Sequence, residues 1–350
     1  MSQDVVARIR AAIEDHGPIS FAEFMEHALY GPGGFYERPP VGAEGHFVTS
    51  PHVHPMFGEL MARELRSMWG ALGRPEPFTV VEVGTGDGTL ARQLLEHLGD
   101  LSVDYVAVER SPGARDRLAE LPVRVVAELE ADIDGGALLA NELLDNLPFH
   151  RIRRSAQGTM EVRVGLRGER LVEVEVPSDP ALAELSPTLE LGEEAAVSVE
   201  ALRFVDALSD RLRKGYALLI DYGRVDGPGG EVHGYRGQRV VADVLADPGS
   251  ADITAGVDFS ALARRASERG LQVFGPLTQR ESLVALGFEG WIRNELARQG
   301  ELLRSGAGRQ AVRVWEGRNR ATLLTDAAGL GRLLWTTLAT PGLPLPRGEP

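Results

Sequence analysis

The sequence predicts an α/β fold built on a doubly wound, mostly parallel sheet. The first observation is the stretch 78–90, where mainly apolar residues of strand character precede glycines at 84, 86 and 88 and a helix that begins at Thr89. The second observation is that apolar strands alternate with helical periodicity along most of the chain. Strands separated by helices favour a parallel sheet, whose ligands bind at the carboxyl ends of the strands.

The elements follow from periodicity and turn residues, taken in chain order. In the first half we predict helices at 3–15, 20–29 and 55–73 around a long loop 30–54, then strands at 78–83, 104–109, 123–126 and 137–140. In the second half we predict an antiparallel hairpin within 151–176, a helix at 197–212, a strand at 216–221, a long loop at 222–257, a helix at 258–269, a strand at 271–274, mainly helix at 279–304, and final strands at 311–315 and 321–324.

This pattern divides the chain into four parts. Residues 1–75 form an N-terminal helical extension with a pocket-covering loop, and residues 76–150 and 195–340 form the core. Residues 151–194 are an inserted β-hairpin element, which we assign to partner docking or to formation of a homodimer. Residues 341–350 are rich in proline, and we expect a disordered tail there.

Carboxylates around the glycine turn indicate which nucleotide ligand it holds. Glu82 lies at the end of the first strand, Asp87 inside the turn and Glu109 at the end of the second strand. Carboxylates would repel a pyrophosphate, but they suit S-adenosylmethionine (SAM), which carries a sulfonium and an ammonium and no phosphate. The spacing agrees, because the dinucleotide fingerprint has its third glycine where Thr89 stands. We therefore predict SAM as cofactor, held by Glu82, Gly84, Thr85, Gly86, Asp87, Gly88 and Glu109.

Composition excludes several classes of function. The 350 residues contain no cysteine, which rules out disulfides, thiolate metal sites and cysteine nucleophiles, and Lys214 is the only lysine. The formal net charge of −14 argues against a nucleic-acid partner, which needs a basic face. Residues 1–14 show neither a signal-peptide nor a transit-peptide pattern, and no apolar run approaches membrane-spanning length. We therefore expect a soluble, cytoplasmic protein without a membrane partner.

Three of the eight histidines, His46, His52 and His54, fall in the long loop 30–54. A zinc site needs three or four ligands that converge on one point, and no predicted helix or strand aims these three side chains together. We therefore expect no metal site here and predict that these histidines are solvated.

A second polar cluster follows the fourth predicted strand, in the segment 141–148. If this strand neighbours the first one, Asn141 and Glu142 emerge beside the glycine turn, and a helical turn would place Asp145 on the same face as Glu142. Unpaired buried carboxylates are costly, so such a cluster indicates a function. Asn141, Glu142 and Asp145 are the candidate catalytic residues. The alternative is that Asn141 and Asp145 only cap a helix while Glu142 is solvated.

These residue types fit methyl transfer. The reaction requires that nucleophile, methyl carbon and sulfur are aligned, that water is excluded and that one proton is removed from the nucleophile. It requires neither a metal nor a covalent intermediate. Paired carboxylates would suit an arginine nucleophile, because they can hold a guanidinium bidentately and stabilise its charge.

Motifs along nearly the whole chain resemble those of the MidA-type methyltransferase family, which includes the mitochondrial complex I assembly factor that methylates a protein arginine. They are F-M-E-H-A-L-Y-G-P-G-G-F-Y at 24–36, G-H-F-V-T-S-P at 45–51, F-G-E at 57–59, the glycine turn, the segment 141–148, I-D-Y-G at 220–223, G-Y-R-G at 234–237 and D-I-T-A-G-V-D-F at 252–259. The chain departs from the family pattern at four positions, namely His52, Thr85, Asp87 and Asn146.

The resemblance implies a SAM-dependent methyltransferase with the seven-stranded sheet of the class I SAM methyltransferases. It also implies an arginine on a protein partner as the methyl acceptor. By position, the loops 30–54 and 222–257 become walls of the SAM pocket. Six loop residues would then face the ligand or pack within the loops: Tyr36, Thr49, Ser50, Asp221, Tyr222 and Arg236.

Three rival functions remain open at this point. A small molecule could be the methyl acceptor in place of a protein. The glycine turn could belong to an NAD-dependent oxidoreductase, since an acidic residue such as Glu109 is common to both cofactor classes. The protein could also bind SAM as an assembly factor without turnover.

Overall fold

A computed structural model of the chain describes residues 2–37, 49–227, 232–237, 239–241 and 243–346. Its helices are α1 Ser2–His16, α2 Phe21–Met25, α3 Ser50–Val53, α4 Met56–Ala71, α5 Thr89–Leu98, α6 Pro112–Leu118, α7 Pro180–Leu185, α8 Val199–Arg211, α9 Phe259–Glu268, α10 Gln279–Ala285, α11 Phe288–Arg304 and α12 Gly308–Thr322. Its strands are β1 Phe78–Val83, β2 Val103–Val108, β3 Arg124–Val126, β4 Ile133–Asn141, β5 His150–Ser155, β6 Gly158–Arg167, β7 Arg170–Pro177, β8 Glu194–Val197, β9 Leu212–Asp221, β10 Gly223–Arg224, β11 Val232–Arg236, β12 Arg239–Val241, β13 Asp252–Ala255, β14 Val257–Asp258, β15 Gln272–Thr278 and β16 Leu334–Ala339.

The central sheet has the order β15-β16-β9-β4-β1-β2-β3 within the described chain. The strands β3, β2, β1, β4 and β9 run parallel to one another, and β16 runs antiparallel to both of its neighbours, β9 and β15. The predicted doubly wound, mostly parallel seven-stranded fold is therefore confirmed. Because β1 lies between β2 and β4, the strand order reverses at the carboxyl end of β1, where ligands bind in such sheets.

Two apolar clusters cover the two faces of this sheet. One face packs against α4 and α5 through residues such as Leu60, Met61 and Leu94, and the other packs against α8 and α9 through residues such as Val205 and Leu262. The near-continuous apolar sequences of β4 and β9 follow from this burial on both sides. The sheet core thus fixes the ends of β1 and β4 side by side.

The predicted final strands at 311–315 and 321–324 are wrong. Residues 308–322 form α12, which packs against α11 and buries Ala311 and Ala321, and the last strand is β16, at 334–339. The apolar alternation of 311–315 fits a strand only if one face is buried, but Val312 and Trp315 remain about half exposed. Alternation over five residues was too short to separate strand from helix.

Trp335 in β16 is the largest fully buried side chain, and its ring meets Phe57 edge-on at 6.1 Å between centroids. We expect Trp335→Ala to lower the free energy of unfolding by about 3–5 kcal/mol, because it leaves a large cavity in a closed core. Urea denaturation measures this loss. The control is Trp315→Ala, since Trp315 is 47% exposed and should change stability by no more than about 0.5 kcal/mol. Equal losses in the two variants would contradict the burial of β16.

The predicted inserted β element is a four-stranded antiparallel sheet in the order β7-β6-β5-β8, and it includes the hairpin around 167–170. β6 extends beyond its pairing with β5, and there Ile19 and Val164 exchange two backbone hydrogen bonds of 3.0 and 2.9 Å. The helices α1 and α2 pack on this sheet through a shared apolar cluster that contains Phe21 and Phe149. The N-terminal extension and the insertion therefore share one core.

Other parts of the prediction need refinement. The loop 222–257 contains a small sheet in the order β12-β11-β13, and β10 pairs with β14. In the tail, the Tyr216 hydroxyl donates to the Pro344 carbonyl at 2.7 Å, so residues 341–346 are tied to the core, whereas 347–350 lie outside the described residues. Among the helices that the structure describes, none has the length and apolar character needed to cross a membrane.

Candidate active site

A cavity of about 700 Å³ lies at the carboxyl ends of β1, β2 and β4. The turns after these strands form its floor, residues 30–37 and 49–52 form one wall, and α8 closes the opposite side. This volume is typical of a site for a nucleotide-sized ligand. Its position at the reversal of strand order is the one that the fold predicts for a ligand.

The glycine turn 84–88 leaves the floor of the cavity open. Gly84 has φ +74° and a side chain there would lie 2.8 Å from the Cδ1 atom of Leu143, so the turn packs directly on the segment after β4. Gly86 has φ +61° and faces open space, with only the Gly84 carbonyl oxygen 4.0 Å from where a Cβ atom would be. A ligand can therefore approach the backbone at Gly86 without obstruction.

Glu109 ties this turn to the end of β2. Its Oε2 atom accepts the Gly86 N–H at 2.8 Å, and its Oε1 atom accepts the Ser111 N–H at 2.8 Å. Burial raises the pKa of the Glu109 carboxyl, and the two backbone hydrogen bonds act in the opposite direction. The carboxylate lines the cavity at the end of β2, as the sequence predicts for a residue that holds SAM.

Glu82 lines the same cavity from β1, although it is only 4% exposed. Its Oε2 atom accepts the Tyr105 hydroxyl at 2.5 Å. Burial raises the pKa of the Glu82 carboxyl to about 8, and the hydrogen bond from Tyr105 only partly opposes this. A buried carboxyl with a raised pKa is stabilised in its charged form when a cation binds beside it.

Charge in the cavity lining is predominantly negative. The acidic lining residues are Glu37, Glu82, Asp87, Glu109, Glu128, Glu142 and Glu200, and the basic ones are Arg110 and Arg203. Arg110 forms an ion pair with Glu26, and Arg203 forms one with Glu200. Within the described lining, a diphosphate would thus meet carboxylates and already paired arginines, whereas a cationic ligand such as SAM fits.

Most of the predicted site residues meet at this cavity. Ten of them line it: Tyr36, Thr49, Glu82, Gly84, Thr85, Gly86, Asp87, Glu109, Asn141 and Glu142. Gly88, Ser50 and Asp145 lie behind the lining, Gly88 as the residue before α5 and Ser50 as a buried donor to Glu142. Asp221, Tyr222 and Arg236 do not line it either, and Arg236 instead pairs with Asp247.

Glu142 is placed at the cavity edge by unusual backbone geometry. It follows β4 directly and has φ +51°, a left-handed conformation that non-glycine residues rarely adopt. Its N–H donates to the Ile220 carbonyl at 2.8 Å, which holds that geometry. Its Oε1 atom accepts the Ser50 N–H at 2.9 Å and the Asn141 Nδ2 at 3.3 Å. Burial raises the pKa of the Glu142 carboxyl against these hydrogen bonds.

Asp221, at the end of β9, organises the turn after Glu142. Its Oδ2 atom accepts the N–H groups of Leu143, Leu144 and Asp145 at 3.0, 2.6 and 3.2 Å. Burial raises the pKa of Asp221 to about 7 against these bonds. Asp221 thus supports the site from behind and does not face the ligand.

Asp145 is buried beside three other carboxylates. Burial and the negative charges of Asp221, Asp252 and Glu142 raise the pKa of the Asp145 carboxyl well above its ordinary value. Its Oδ1 atom has no hydrogen-bond partner in the described part of the chain. The helix-capping alternative for Asp145 does not match this position, because Asp221 supplies the cap of the turn.

Two tyrosines form the wall between the N-terminal segment and this acidic group. Their rings stack at 5.4 Å; the Tyr30 hydroxyl donates to the Asn146 carbonyl at 3.0 Å and the Tyr36 hydroxyl donates to Asp252 at 2.8 Å. Asn146 also donates to Asp252, at 2.9 Å. A π-helical turn at Glu26–Tyr30 presents Tyr30 to the site, and such turns are frequent at functional sites.

His52 is a site residue that the sequence prediction missed. It was expected to be solvated, but its side chain is 11% exposed, lines the cavity and lies 2.9 Å from Asp87 through Nε2. Its place one residue after the Ser50-Pro51 pair was the available signal. His54 instead meets Trp291 edge-on, and His46 lies outside the described residues. Within the described chain no group of three or more potential ligands could hold a metal.

Comparison with known proteins identifies the family. Residues 60–277 match the family model described as "Putative S-adenosyl-L-methionine-dependent methyltransferase". The chain belongs to this family. Its enzymatic activity is methyl transfer and its cofactor is SAM, as the sequence predicted, and the resemblance to MidA-type methyltransferases is confirmed.

Curated relatives and a solved structure extend the match beyond the core. The chain is 31% identical to the mitochondrial protein arginine methyltransferase NDUFAF7 of Danio rerio over 83% of this chain and 78% of that protein. It is 32% identical to NDUFAF7 of Homo sapiens over 79% of this chain and 72% of that protein. A relative from Burkholderia thailandensis, solved with bound S-adenosyl-homocysteine, is 27% identical, with a TM-score of 0.84 over 98% of this chain and 93% of that chain.

These relatives correct one expectation from the sequence. The proteins from Danio rerio, Bos taurus and Homo sapiens are mitochondrial, which contradicts the cytoplasmic location inferred from the N-terminal residues and the lack of a membrane-spanning run. The absence of a recognisable leader pattern in 1–14 was too weak a basis for that inference.

Proposed function

We propose that this methyltransferase transfers the methyl group to an arginine side chain of a protein partner. The observation that supports it is a group of four neighbouring carboxyls, of which Glu142 lines the cavity and Asp145, Asp221 and Asp252 are buried around it. Among the described residues, none of the four forms an ion pair with an arginine or lysine. Ionising all four of these carboxyls together is costly unless a cation joins them.

A guanidinium matches this arrangement better than an ammonium or a neutral acceptor. It is planar, it stays charged at neutral pH and it donates two parallel hydrogen bonds to a carboxylate. Glu142 lines the cavity with its Oε1 atom fixed by Ser50, so the carboxylate plane is set before an acceptor arrives. Asp145 and Asp252 lie behind it. Burial raises the pKa of Asp145 well above its ordinary value, whereas the pKa of Asp252 is about 6, so Asp252 adds negative charge at neutral pH.

One group of residues would hold the cofactor and another would hold the acceptor. When bound, SAM supplies an electrophilic methyl carbon on a good leaving group. Glu109 and Glu82 would hold its ribose and its ammonium, and the open backbone at Gly86 would admit it. Glu142 would orient the guanidinium and accept the proton that leaves its nitrogen, a role for which a raised pKa is suited. Asn141 would hold the Glu142 carboxylate in place through its 3.3 Å contact.

The relatives support the same acceptor class. The NDUFAF7 proteins from Danio rerio and Homo sapiens carry the name protein arginine methyltransferase. We also propose that the inserted sheet 151–194 and the N-terminal segment form the side on which a protein partner docks, because they share a core with the tyrosine wall. A folded partner needs such a surface beyond the pocket itself.

The test uses an extract from cells that lack this gene. Purified protein and SAM with a labelled methyl group are added, and proteins are analysed by mass spectrometry. We expect label on one or a few proteins, as methylarginine after digestion. Label confined to small molecules, or to another side chain, would contradict the arginine proposal, and no label at all would favour a SAM-binding factor without turnover.

A further inference from the structure

The segment that connects the two halves of the site is the short helix α3 together with Thr49. A helix of four residues cannot hold its own position, so its contacts decide where it lies. Four elements contact it through side chains: Asp87 in the glycine turn, Gln93 in α5, Glu142 after β4 and Gln279 in α10. Cofactor-side and acceptor-side residues thus bind the same five-residue segment.

His52 makes the bond on the cofactor side. Its Nε2 atom lies 2.9 Å from Asp87 Oδ2, and its Nδ1 atom lies 2.8 Å from the Thr49 hydroxyl. A carboxylate only accepts, so Nε2 carries the proton, and Nδ1 of a neutral ring can then accept the Thr49 hydroxyl proton. Both ring nitrogens are used, which fixes the orientation of the ring and of the segment around it.

Asp87 anchors this bond firmly to the turn. Its Oδ1 atom accepts the Thr89 N–H at 3.0 Å, so the same carboxylate holds both the start of α5 and the histidine. Burial acts to raise the pKa of Asp87, but the hydrogen bonds from His52 and Thr89 lower it to about 2. Asp87 is therefore ionised at neutral pH.

Ser50 makes the bond on the acceptor side. It is fully buried; its N–H donates to Glu142 Oε1 at 2.9 Å and its hydroxyl donates to Gln279 Oε1 at 3.2 Å. The sequence distance from His52 to Ser50 is two residues within one helical turn, so a shift of one moves the other. The path from Asp87 to Glu142 contains only short polar contacts and this single turn.

We propose that His52 is a positioning residue that couples the cofactor turn to Glu142. Binding of the cofactor fixes the glycine turn, and the hydrogen bond between Asp87 and His52 then fixes the position of α3. Ser50, in the same helix, holds the Glu142 carboxylate in place for the acceptor. This inference rests on the acceptor role proposed above for Glu142. It adds to that proposal a reason why the cofactor should bind before the protein partner.

Hydrogen–deuterium exchange with S-adenosyl-homocysteine tests the coupling without any acceptor. In the wild type we expect the ligand to slow exchange about fivefold or more in peptides covering 49–54 and 141–147, as well as in the glycine turn. In His52→Ala the ligand should still protect the glycine turn but no longer protect 141–147. In His52→Gln, whose amide can donate to Asp87, part of that protection should return.

The matched control is His54→Ala. His54 directly follows α3, and its ring meets Trp291 instead of the cavity, so this variant should behave like the wild type. Wild-type protection of 141–147 in His52→Ala would overturn the proposal. Loss of ligand binding in both His52 variants would also overturn it, because the pair would then serve only to hold the cofactor. The exchange experiment contains no methyl acceptor. Its result can therefore be interpreted even if the arginine proposal is wrong.

Discussion

Glu142→Gln is expected to lower methyl transfer by at least about 100-fold, because it removes both the negative charge beside the acceptor and the proton acceptor. The affinity for SAM should stay within about threefold, a change of less than 1 kcal/mol, since the cofactor contacts come from the turn and from β2. The measurement pairs incorporation of labelled methyl groups in the deletion extract with calorimetry of SAM binding. Glutamine keeps the shape of the side chain and the Oε1 acceptor for Ser50.

The control for Glu142→Gln is Glu200→Gln. Glu200 also lines the cavity, but it pairs with Arg203 on α8 and has no bond to Ser50. Loss of its charge should leave methyl transfer within about threefold of the wild type, a change of less than 1 kcal/mol. Wild-type rates in Glu142→Gln would refute the role of Glu142, and equal losses in both variants would mean that only the total charge of the cavity matters.

Glu82→Gln is expected to weaken SAM binding by about 10- to 100-fold at slightly alkaline pH, the loss of one charge-assisted contact. The pH dependence is the sharper readout. With a pKa of about 8 in the free protein, Glu82 is mostly protonated below that pH. A cation favours the ionised form, so binding releases a proton and affinity should rise with pH, by up to about tenfold per unit below pH 8.

Calorimetry from about pH 6 to about pH 8 measures this difference between wild type and Glu82→Gln. Titration of the SAM amino group affects both proteins equally and cancels in the comparison. Tyr105→Phe is the matched variant: it removes the 2.5 Å hydrogen bond that lowers the pKa of Glu82, so the rise in affinity should move to higher pH. A pH profile that is the same in all three proteins would exclude Glu82 as the group that titrates.

Much of the core was predictable because its signals are local. The stretch 78–90 carries its strand, its turn and the start of its helix within thirteen consecutive positions, and each glycine there has positive φ. That β1 and β4 are neighbours was only a condition in the sequence analysis, because connection rules alone allow several strand orders, and the structure meets this condition. The glycine turn and Glu142 therefore line the same cavity.

The acceptor side was less predictable because its contacts join distant parts of the chain. Tyr36 reaches Asp252 across 216 positions, and His52 reaches Asp87 across 35. No periodicity or spacing reports such pairs, and a histidine in a glycine-rich loop is usually solvated. The same reason explains Asp221, whose backbone partners lie 76 to 78 positions earlier, so that its place behind the lining could not be read from the I-D-Y-G motif.

The two hydrogen bonds between Ile19 and Val164 have a practical consequence. They cover the part of β6 that runs past the end of β5, where Val164 and Leu166 would otherwise sit on an unpaired strand edge. Open edges of this kind recruit other strands and promote self-association. A chain shortened past Ile19 is therefore expected to be less soluble even where it still binds the cofactor. Fragments intended for binding measurements should keep the first twenty residues.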